Sequence, residues 1–424
     1  MRKYLALVLG VLFILSLTAI ALAEDKTEVT LGGKILARGW YLSNVSSSLP
    51  QKAVADTMYS TNVYLTVDAK VTDNVRGFLE IETASGGNRN SGLFYWGNYD
   101  TKPNADLLYR QAWIQYTGAG LGVPAGIKVG HMLYSLGQEK FLNFKRFGSD
   151  GILVWIDPTK EAHLALSTWK LDEGSLNMFD DTDAYIADLG WMLDKDNTVG
   201  ANYTYVRGQQ DDMDFHNVGV NADGKISAVS YGAEADFQFG DMKDGAAKTK
   251  FRGYGIFAKL GYMIDPINVR ASFAYGSGDT TNDNKNKEFV TLEGPDYGYT
   301  ARLIHYTQIY ERVLRTAALQ ADNTRNTGIA NTTYYNLGVD INPMKDLSLA
   351  LDGFYLQATK TASGVDDYIG TEVDLKGTYK LAKNLSYIVQ AGYFWQGDFY
   401  KDMGYVTSKD KDVLMAVHGL QLTF

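Results

Sequence analysis

The feature that most constrains the fold is a strict alternation of apolar and polar residues, in segments of about ten residues, along most of the chain. In 62–71 (NVYLTVDAKV) every second residue is apolar, so one side of an extended chain carries only valine, leucine and alanine. Segment 372–381 (EVDLKGTYKL) alternates in the same way. Such a period of two predicts strands with one apolar and one polar face.

No apolar run after residue 23 approaches the roughly 20 residues of a spanning helix. Two classes of protein remain: a soluble β-rich protein, or a barrel that crosses a membrane with its strands. The chain has 29 tyrosines, 43 glycines and only 7 prolines. Tyrosine suits a membrane interface, because one end of its ring is apolar and the other is polar, so the composition favours the barrel.

Residues 1–23 have the pattern of a cleavable signal peptide. Arg2 and Lys3 precede the apolar run 5–23, and Ala21-Leu22-Ala23 is a small-x-small cleavage site before Glu24. A membrane anchor is the alternative, but no stop-transfer pattern follows. We therefore expect an exported protein with one domain over 24–424. Its net charge of −9 becomes more negative without the leader, which disfavours nucleic acid as a partner.

The alternation and the turn residues predict 18 strands in one all-β, antiparallel, up-and-down transmembrane barrel. An even number puts both ends of the chain on the same side, as bacterial single-chain barrels require. The two least regular segments are 150–156 and 214–221. The predicted strands are 29–41, 59–71, 75–84, 107–117, 126–134, 150–156, 161–170, 183–193, 198–208, 214–221, 226–240, 251–263, 268–276, 332–341, 347–357, 369–380, 384–395 and 412–424.

The connections alternate between short turns and long polar loops, which matches the periplasmic turns and outer loops of outer-membrane barrels. Tight turns are predicted at 72–74, 222–225, 265–268, 342–346 and 382–384, from their Asp, Asn, Gly and Pro residues. The longest loop, 277–331, contains a stretch with helical spacing, 299–320. This stretch could constrict the pore with Arg302, Arg312 and Arg315, or lie on the rim.

The chain finishes within an alternating segment and on an aromatic residue, Phe424. A closed barrel explains this ending, because the last strand pairs with the first and leaves no open edge. The apolar side of 414–424 would face lipid. The terminal phenylalanine resembles the signal by which such proteins reach the barrel assembly machinery, although His418 departs from that pattern.

If the apolar positions face lipid, the opposite parity lines the pore, because a charge facing lipid near the midplane costs about 2–4 kcal/mol. Individual charges could also pair across strands and only fill the wall. The basic lining candidates are Lys34, Arg38, Lys70, Arg76, Lys128, Lys259, Arg270 and Lys376. The acidic candidates are Asp68, Glu80, Glu82, Asp188, Glu234, Asp236, Asp340, Asp352, Glu372 and Asp374.

Motifs that would indicate catalysis or a cofactor are missing from the sequence. The chain has no cysteine, no GxSxG and no P-loop, and its five histidines, His131, His163, His216, His305 and His418, do not form a ligand-spaced pair. Segment 277–288 is rich in oxygen ligands, but it lacks the EF-hand glycine, so a polar loop is favoured over a Ca²⁺ site. We expect no enzyme, no cofactor and no metal.

Segments 257–279 and 370–399, supported by 110–137 and 231–240, resemble the alginate-export family of outer-membrane proteins. The resemblance implies an 18-stranded barrel. Its best-known members are similar to conduits that pass an anionic polysaccharide through a constriction rich in arginine and lysine. Here ten acids accompany eight bases in the expected lumen, and His131 stands where an arginine would be typical of the family.

These patterns favour a water-filled porin for passive diffusion of ions or small hydrophilic solutes. The first alternative is a dedicated exporter of an anionic, alginate-like polysaccharide, which would need a contiguous basic track through the lumen. A third alternative is a receptor or structural barrel whose pore is plugged by 277–331.

Overall fold

A computed structural model describes residues 27–44, 55–85, 94–95, 105–145, 147–174, 180–245, 247–280, 283–293, 306–314, 328–404 and 412–424. The predicted leader 1–23 lies outside the described residues. Within them, 18 long strands form the barrel: β1 (Glu28–Ser43), β2 (Ala55–Lys70), β3 (Val75–Ser85), β4 (Ala105–Gly120), β5 (Val123–Met132), β6 (Ser149–Ile156), β7 (Ala162–Asp172), β8 (Thr182–Asp194), β9 (Asn197–Gly208), β10 (Met213–Ile226), β11 (Val229–Asp244), β12 (Tyr254–Ile264), β13 (Ile267–Gly276), β14 (Thr332–Met344), β15 (Leu347–Ala358), β16 (Tyr368–Ala382), β17 (Leu385–Gln396) and β18 (Val413–Thr423).

The barrel closes between its first and last strands. Each strand pairs antiparallel with its neighbour in sequence, and β1 also pairs with β18, with Lys34 opposite Thr423 and Ser43 opposite Leu414. The 18-stranded closed barrel predicted from the sequence is therefore confirmed. The two least regular segments are both strands, β6 and β10.

Short turns lie at one end of the barrel, the turn end, and long connections lie at the other, the loop end. The tight turn predicted at 222–225 is wrong, because β10 continues to Ile226 and the chain reverses at Ser227–Ala228. Ser227 adopts a positive φ of 56°, which this two-residue hairpin requires. The polar Asp223 and Gly224 lie within the paired strand.

The two faces of the barrel wall differ as the alternation predicts. Outward apolar side chains are open to the surroundings, as for Leu31 (73% exposed) and Leu337 (64% exposed). Inward side chains of the same strands are buried, as for Leu36 and Tyr334. An apolar outer band is the surface that a barrel presents to lipid. Among the described residues, no helix is long and apolar enough to cross a membrane.

Loop segments fill part of the interior toward the loop end. Buried apolar side chains of the wall, among them Trp40, Trp169 and Phe394, join buried loop side chains such as Phe141 and Tyr310 in one cluster. Short strands connect these loops: Leu142–Asn143 pairs with Leu292–Glu293, and Ala247–Phe251 pairs with Lys285–Asn286. A five-residue α-helix, Asp398–Asp402, follows β17.

Candidate functional site in the barrel interior

The lining candidates share the parity of the buried inner-face residues on their strands. Lys259, for example, is two residues from the buried Phe257, and Asp340 is four residues from the buried Asn336. An even separation along a strand places both side chains on the same face. The inner face is thus polar and charged in the turn half of the barrel, and partly apolar in the loop half.

Several basic candidates of the wall are paired with acids of nearby strands, namely Arg76, Lys259 and Arg270. Arg270 is the centre of the largest network: its Nε lies 2.7 Å from Asp340, and its Nη1 and Nη2 lie 2.9 and 3.1 Å from Asp352. Arg76 makes two hydrogen bonds to Asp68.

Two of the lysine candidates also make ion pairs. Lys259 lies 3.3 Å from Asp223 on β10. Asp223 belongs to the predicted turn 222–225, which would have placed it outside the barrel wall. Lys70 lies 2.5 Å from Asp73 at the turn end. The hydrogen bond from Lys70 lowers the pKa of the exposed Asp73 carboxyl.

Other basic candidates contact aromatic rings. Lys128 Nζ is 3.8 Å from the centre of the Trp113 ring, and Lys34 Nζ is 5.0 Å from that of Tyr64. The guanidinium carbon of Arg76 lies 5.6 Å from the centre of the same Trp113 ring. These contacts are cation–π interactions, which hold a positive charge at the inner surface without neutralising it.

Arg110 is an inner-face cation that simple alternation misses. The register between β3 and β4 shifts between Glu80 and Ile81, so Arg110 and Gln111 both face inward at a β-bulge. Arg110 Nη1 lies 2.7 Å from Glu80. The neighbouring Tyr109 points outward and is 70% exposed.

The first inward segment is 134–145, between β5 and β6. Its ends are held together by a hydrogen bond from Phe144 N–H to the Tyr134 carbonyl, 2.8 Å. At its tip, Glu234 of β11 accepts hydrogen bonds from the backbone N–H groups of Gln138, Lys140 and Phe141, the last two at 3.1 Å.

The second inward segment is 306–314, part of the longest loop. The helix expected over 299–320 is not found in its predicted form: within the described part, only Tyr310–Leu314 is helical, as a π-helical turn. Arg302, Arg315 and His305 lie outside the described residues. Arg312 is buried against the inner face of the wall.

Glu372 and Asp374 of β16 hold the second segment. Glu372 accepts hydrogen bonds from the N–H groups of Ile309 (2.6 Å) and Tyr310 (2.9 Å). Asp374 accepts one from Gln308 N–H, 2.9 Å. The first N–H groups of a helical turn have no partner within it, and these two carboxylates supply one.

A third loop strip, 283–293, is attached to β11 by Gln238. The side-chain amide of this fully buried residue donates to the Val290 carbonyl (2.7 Å) and accepts from the Val290 N–H (2.8 Å). Strand β11 therefore carries Glu234 and Gln238 on the same inner face, each attached to a different loop segment.

Arg38 and Arg312 both lie near the Trp40 ring, with guanidinium carbons 4.6 and 5.1 Å from its centre. Arg38 comes from β1, where it also donates to Asn62, and Arg312 comes from the second inward segment. The structure thus brings together two arginines that are separated by most of the chain. Lys140, whose Nζ is 4.4 Å from the centre of the Phe257 ring, adds a third positive charge at the inward segments.

In the acid-rich loop 277–288, carboxylates pair with lysines of the same loop. Asp283 lies 2.9 Å from Lys287 and 3.9 Å from Lys285, and Asp279 accepts from the Lys287 N–H. Asn282 lies outside the described residues. At the rim between β9 and β10, the side chains of Lys243 and Arg207 donate to Asp212, and these bonds lower the pKa of its exposed carboxyl.

The four described histidines lie apart, each on its own strand with its own partner. His131 contacts Asp150 and the Phe147 carbonyl, and His163 contacts Asp157. His216 and His418 contact Tyr203 and Tyr387. They do not converge on a nucleophile or on each other.

The family profile described as Alginate export matches residues 28–413. The chain belongs to the alginate export family. No curated protein matches its sequence. Solved structures with a similar fold include three Pseudomonas aeruginosa proteins. OccK11 (OpdR) has 14% identity and a TM-score of 0.56, with 93% of this chain and 96% of that chain covered.

The other two structures contain small ligands. OccK2 (OpdF) in complex with glucuronate has 12% identity and a TM-score of 0.56, covering 93% of this chain and 96% of that chain. OpdK with vanillate has 11% identity and a TM-score of 0.54, covering 93% and 99%. At these identities the likeness establishes the fold, so this alginate export family member is an outer-membrane-type β-barrel.

Proposed function

We propose that the protein is an outer-membrane channel through which ions and small hydrophilic solutes diffuse passively down their gradients. A barrel of 16–18 strands is wide enough for an aqueous channel, and loops that fold inward restrict it. The charged inner face and the segments 134–145 and 306–314 support this function. Such a channel needs no catalytic residue and no cofactor.

The observation that carries the proposal is the pairing of the wall charges. Arg270, Arg76 and Lys259 each lie against carboxylates of an adjacent strand or of the next strand but one. Within the described part of the chain, these pairs interrupt any continuous basic track along the wall. A polyanion that must contact many cations in sequence would find few available, whereas a small solute needs only a local site.

Small carboxylates are the first solutes to test. Two of the similar structures hold small organic acids, glucuronate and vanillate. In this chain, Arg38, Arg312 and Lys140 bring positive charge to the inward segments. Guanidinium groups bind carboxylates well, because their planar N–H groups match the two oxygens.

Export of an anionic polysaccharide remains the second candidate, because it is the activity for which the family is named. It would require periplasmic partners and a pore that stays open to a long chain. The apolar packing of the inward segments supports passage of small solutes over passage of a polymer.

We also propose how the protein reaches its membrane. Residues 1–23 would be removed on export, and the barrel assembly machinery would recognise the last strand with Phe424. The apolar outer band would then contact outer-membrane lipid.

Liposome swelling tests the proposal. Liposomes that contain the refolded mature protein should swell in isosmotic glucuronate and in small neutral sugars, at rates that fall with solute size. Protein-free liposomes are the control. Absence of swelling with every small solute would contradict passive diffusion and support the plugged barrel. Transport restricted to uronate oligomers would support the exporter.

A further inference from the structure

The same arrangement of residues holds both inward segments. On β11 and on β16, a Glu-x-Asp pair lies on the inner face, as Glu234–Asp236 and Glu372–Asp374. All four side chains are at least nine-tenths buried. On β11, Glu234 alone accepts hydrogen bonds from three backbone N–H groups of the first segment, while Asp236 accepts one from the Asn217 side chain. On β16, Glu372 and Asp374 together accept three from the second segment.

These bonds hold the backbone of the segments rather than particular side chains. The tip 138–141 has no regular structure of its own, and the other segment has only its π-helical turn. Charge-assisted hydrogen bonds to N–H groups are stronger than neutral ones, and buried N–H groups must have a partner. The position of each segment therefore depends on the carboxylates beneath it.

Glycines leave room for this contact. Gly137 has a φ of +49°, and a Cβ there would lie 2.5 Å from Glu234 Oε2. A Cβ on Gly392 would lie 2.7 Å from Asp374 Oδ1 and 3.1 Å from Gln308 Cβ. At both sites a larger residue would push the segment away from its carboxylates.

We propose that Glu234 on β11 and the Glu372–Asp374 pair on β16 are latches that set the aperture of the channel. With these carboxylates bound, the segments narrow the lumen, and on release the segments move and the lumen widens. The inference rests on the proposed channel function. A short segment held by a few hydrogen bonds can open locally while the closed barrel stays folded.

Thiol labelling tests the latch without any measurement of transport. The chain has no cysteine, so Leu314→Cys places a single buried reporter on the second segment. We expect Glu372→Gln combined with Asp374→Asn to speed its reaction with a maleimide by about tenfold, as local opening becomes easier. Asp340→Asn is the matched control for labelling, because among the described residues this wall carboxylate accepts side-chain hydrogen bonds only from Asn268 and Arg270. Equal labelling in the latch and control variants would overturn the proposal.

Single-channel conductance then tests the aperture. The latch variant should conduct more than wild type, and Asp196→Asn, which changes an exposed carboxylate at a turn, should not. Gln308→Cys with Gly392→Cys offers a lock. A Cβ at residue 392 lies 3.1 Å from that of Gln308, so only a small separation is needed for a disulfide, which then ties the segment to β17 despite the crowding at Gly392. In the latch variant, the oxidised lock should restore the lower conductance and reduction should raise it again.

The possible results separate the latch from the channel. Faster labelling with unchanged conductance would overturn the aperture role. Faster labelling in a protein that never conducts, whether locked or reduced, would support the latch and overturn the proposed channel function. A locked variant that conducts as freely when oxidised as when reduced would also count against the proposal.

Discussion

The guanidinium of Arg270 on β13 and the carboxylate of Asp352 on β15 make two hydrogen bonds, of 2.9 and 3.1 Å, across the intervening strand β14. The residue between them in the register is Gly338, which is opposite both. A Cβ on Gly338 would meet Asp352 Oδ1 and lie 3.0 Å from Arg270 Cζ. The glycine is thus what allows the ion pair to span three strands.

Gly338→Ala should destabilise the barrel by about 1–3 kcal/mol, because the methyl group would separate a partly buried ion pair. Urea-induced unfolding in lipid vesicles, followed by tryptophan fluorescence, measures the change in free energy of unfolding. Gly353→Ala is the matched control, since a Cβ there meets nothing nearer than 3.9 Å and should change stability by less than about 0.5 kcal/mol. Equal effects of the two substitutions would argue against the role given to Gly338.

Arg270→Ala should shift ion selectivity toward cations. The substitution leaves Asp340 and Asp352 without their common cation, so the lumen gains local negative charge. The reversal potential in a salt gradient measures the shift. Lys195→Ala, at an exposed turn, should leave the reversal potential unchanged. An unaltered potential in Arg270→Ala would mean that permeating ions do not pass this network.

Arg312→Ala should weaken anion preference and the block by glucuronate. Arg312 and Arg38 both lie over the Trp40 ring, so removal of one lowers the positive charge at the second inward segment. Arg312→Lys keeps the charge but loses the planar guanidinium, and we expect it to retain selectivity better than it retains glucuronate block. If alanine and wild type select ions equally, the permeation path does not pass this site.

Deletion of Phe424 should reduce the amount of folded barrel several-fold while the barrels that do form conduct normally. The backbone of Phe424 makes two hydrogen bonds to Gly33, 2.8 and 3.0 Å, where the barrel closes. Heat-dependent mobility on gels, applied to outer-membrane fractions, measures the folded amount. Phe424→Tyr keeps the ring and the backbone bonds and is the control. Normal levels of the deletion variant would contradict a role in closure or assembly.

The barrel could be predicted because the sequence patterns that specify its strands and turns are local, each lying within a few neighbouring residues. A period of two along each strand decides which side chains face lipid, and turn residues separate the strands. The prediction of a turn at 222–225 was wrong because Asp and Gly can also lie near the end of a strand. There Asp223 pairs with Lys259. Alternation does not predict that Arg110 faces inward, because a β-bulge reverses which residues face the interior and alternation alone does not reveal a bulge.

The attachment of the inward segments could not be predicted in this way. Glu234 binds a tip more than 90 residues earlier in the chain, and nothing near either sequence position records the contact. The acids themselves were found as lining candidates. The available signal was their spacing, since Glu234–Asp236 and Glu372–Asp374 each put two carboxylates next to each other on one inner face.

Ion conductance of the refolded mature protein in a planar bilayer, under a salt gradient, tests the central claim most directly. We predict steady steps with weak ion selectivity, because Arg76, Lys259 and Arg270 of the wall are paired with acids, and a partial, reversible block by glucuronate. Near-closed behaviour with strong anion preference, relieved or blocked only by uronate oligomers, would contradict a channel for small solutes and support polysaccharide export.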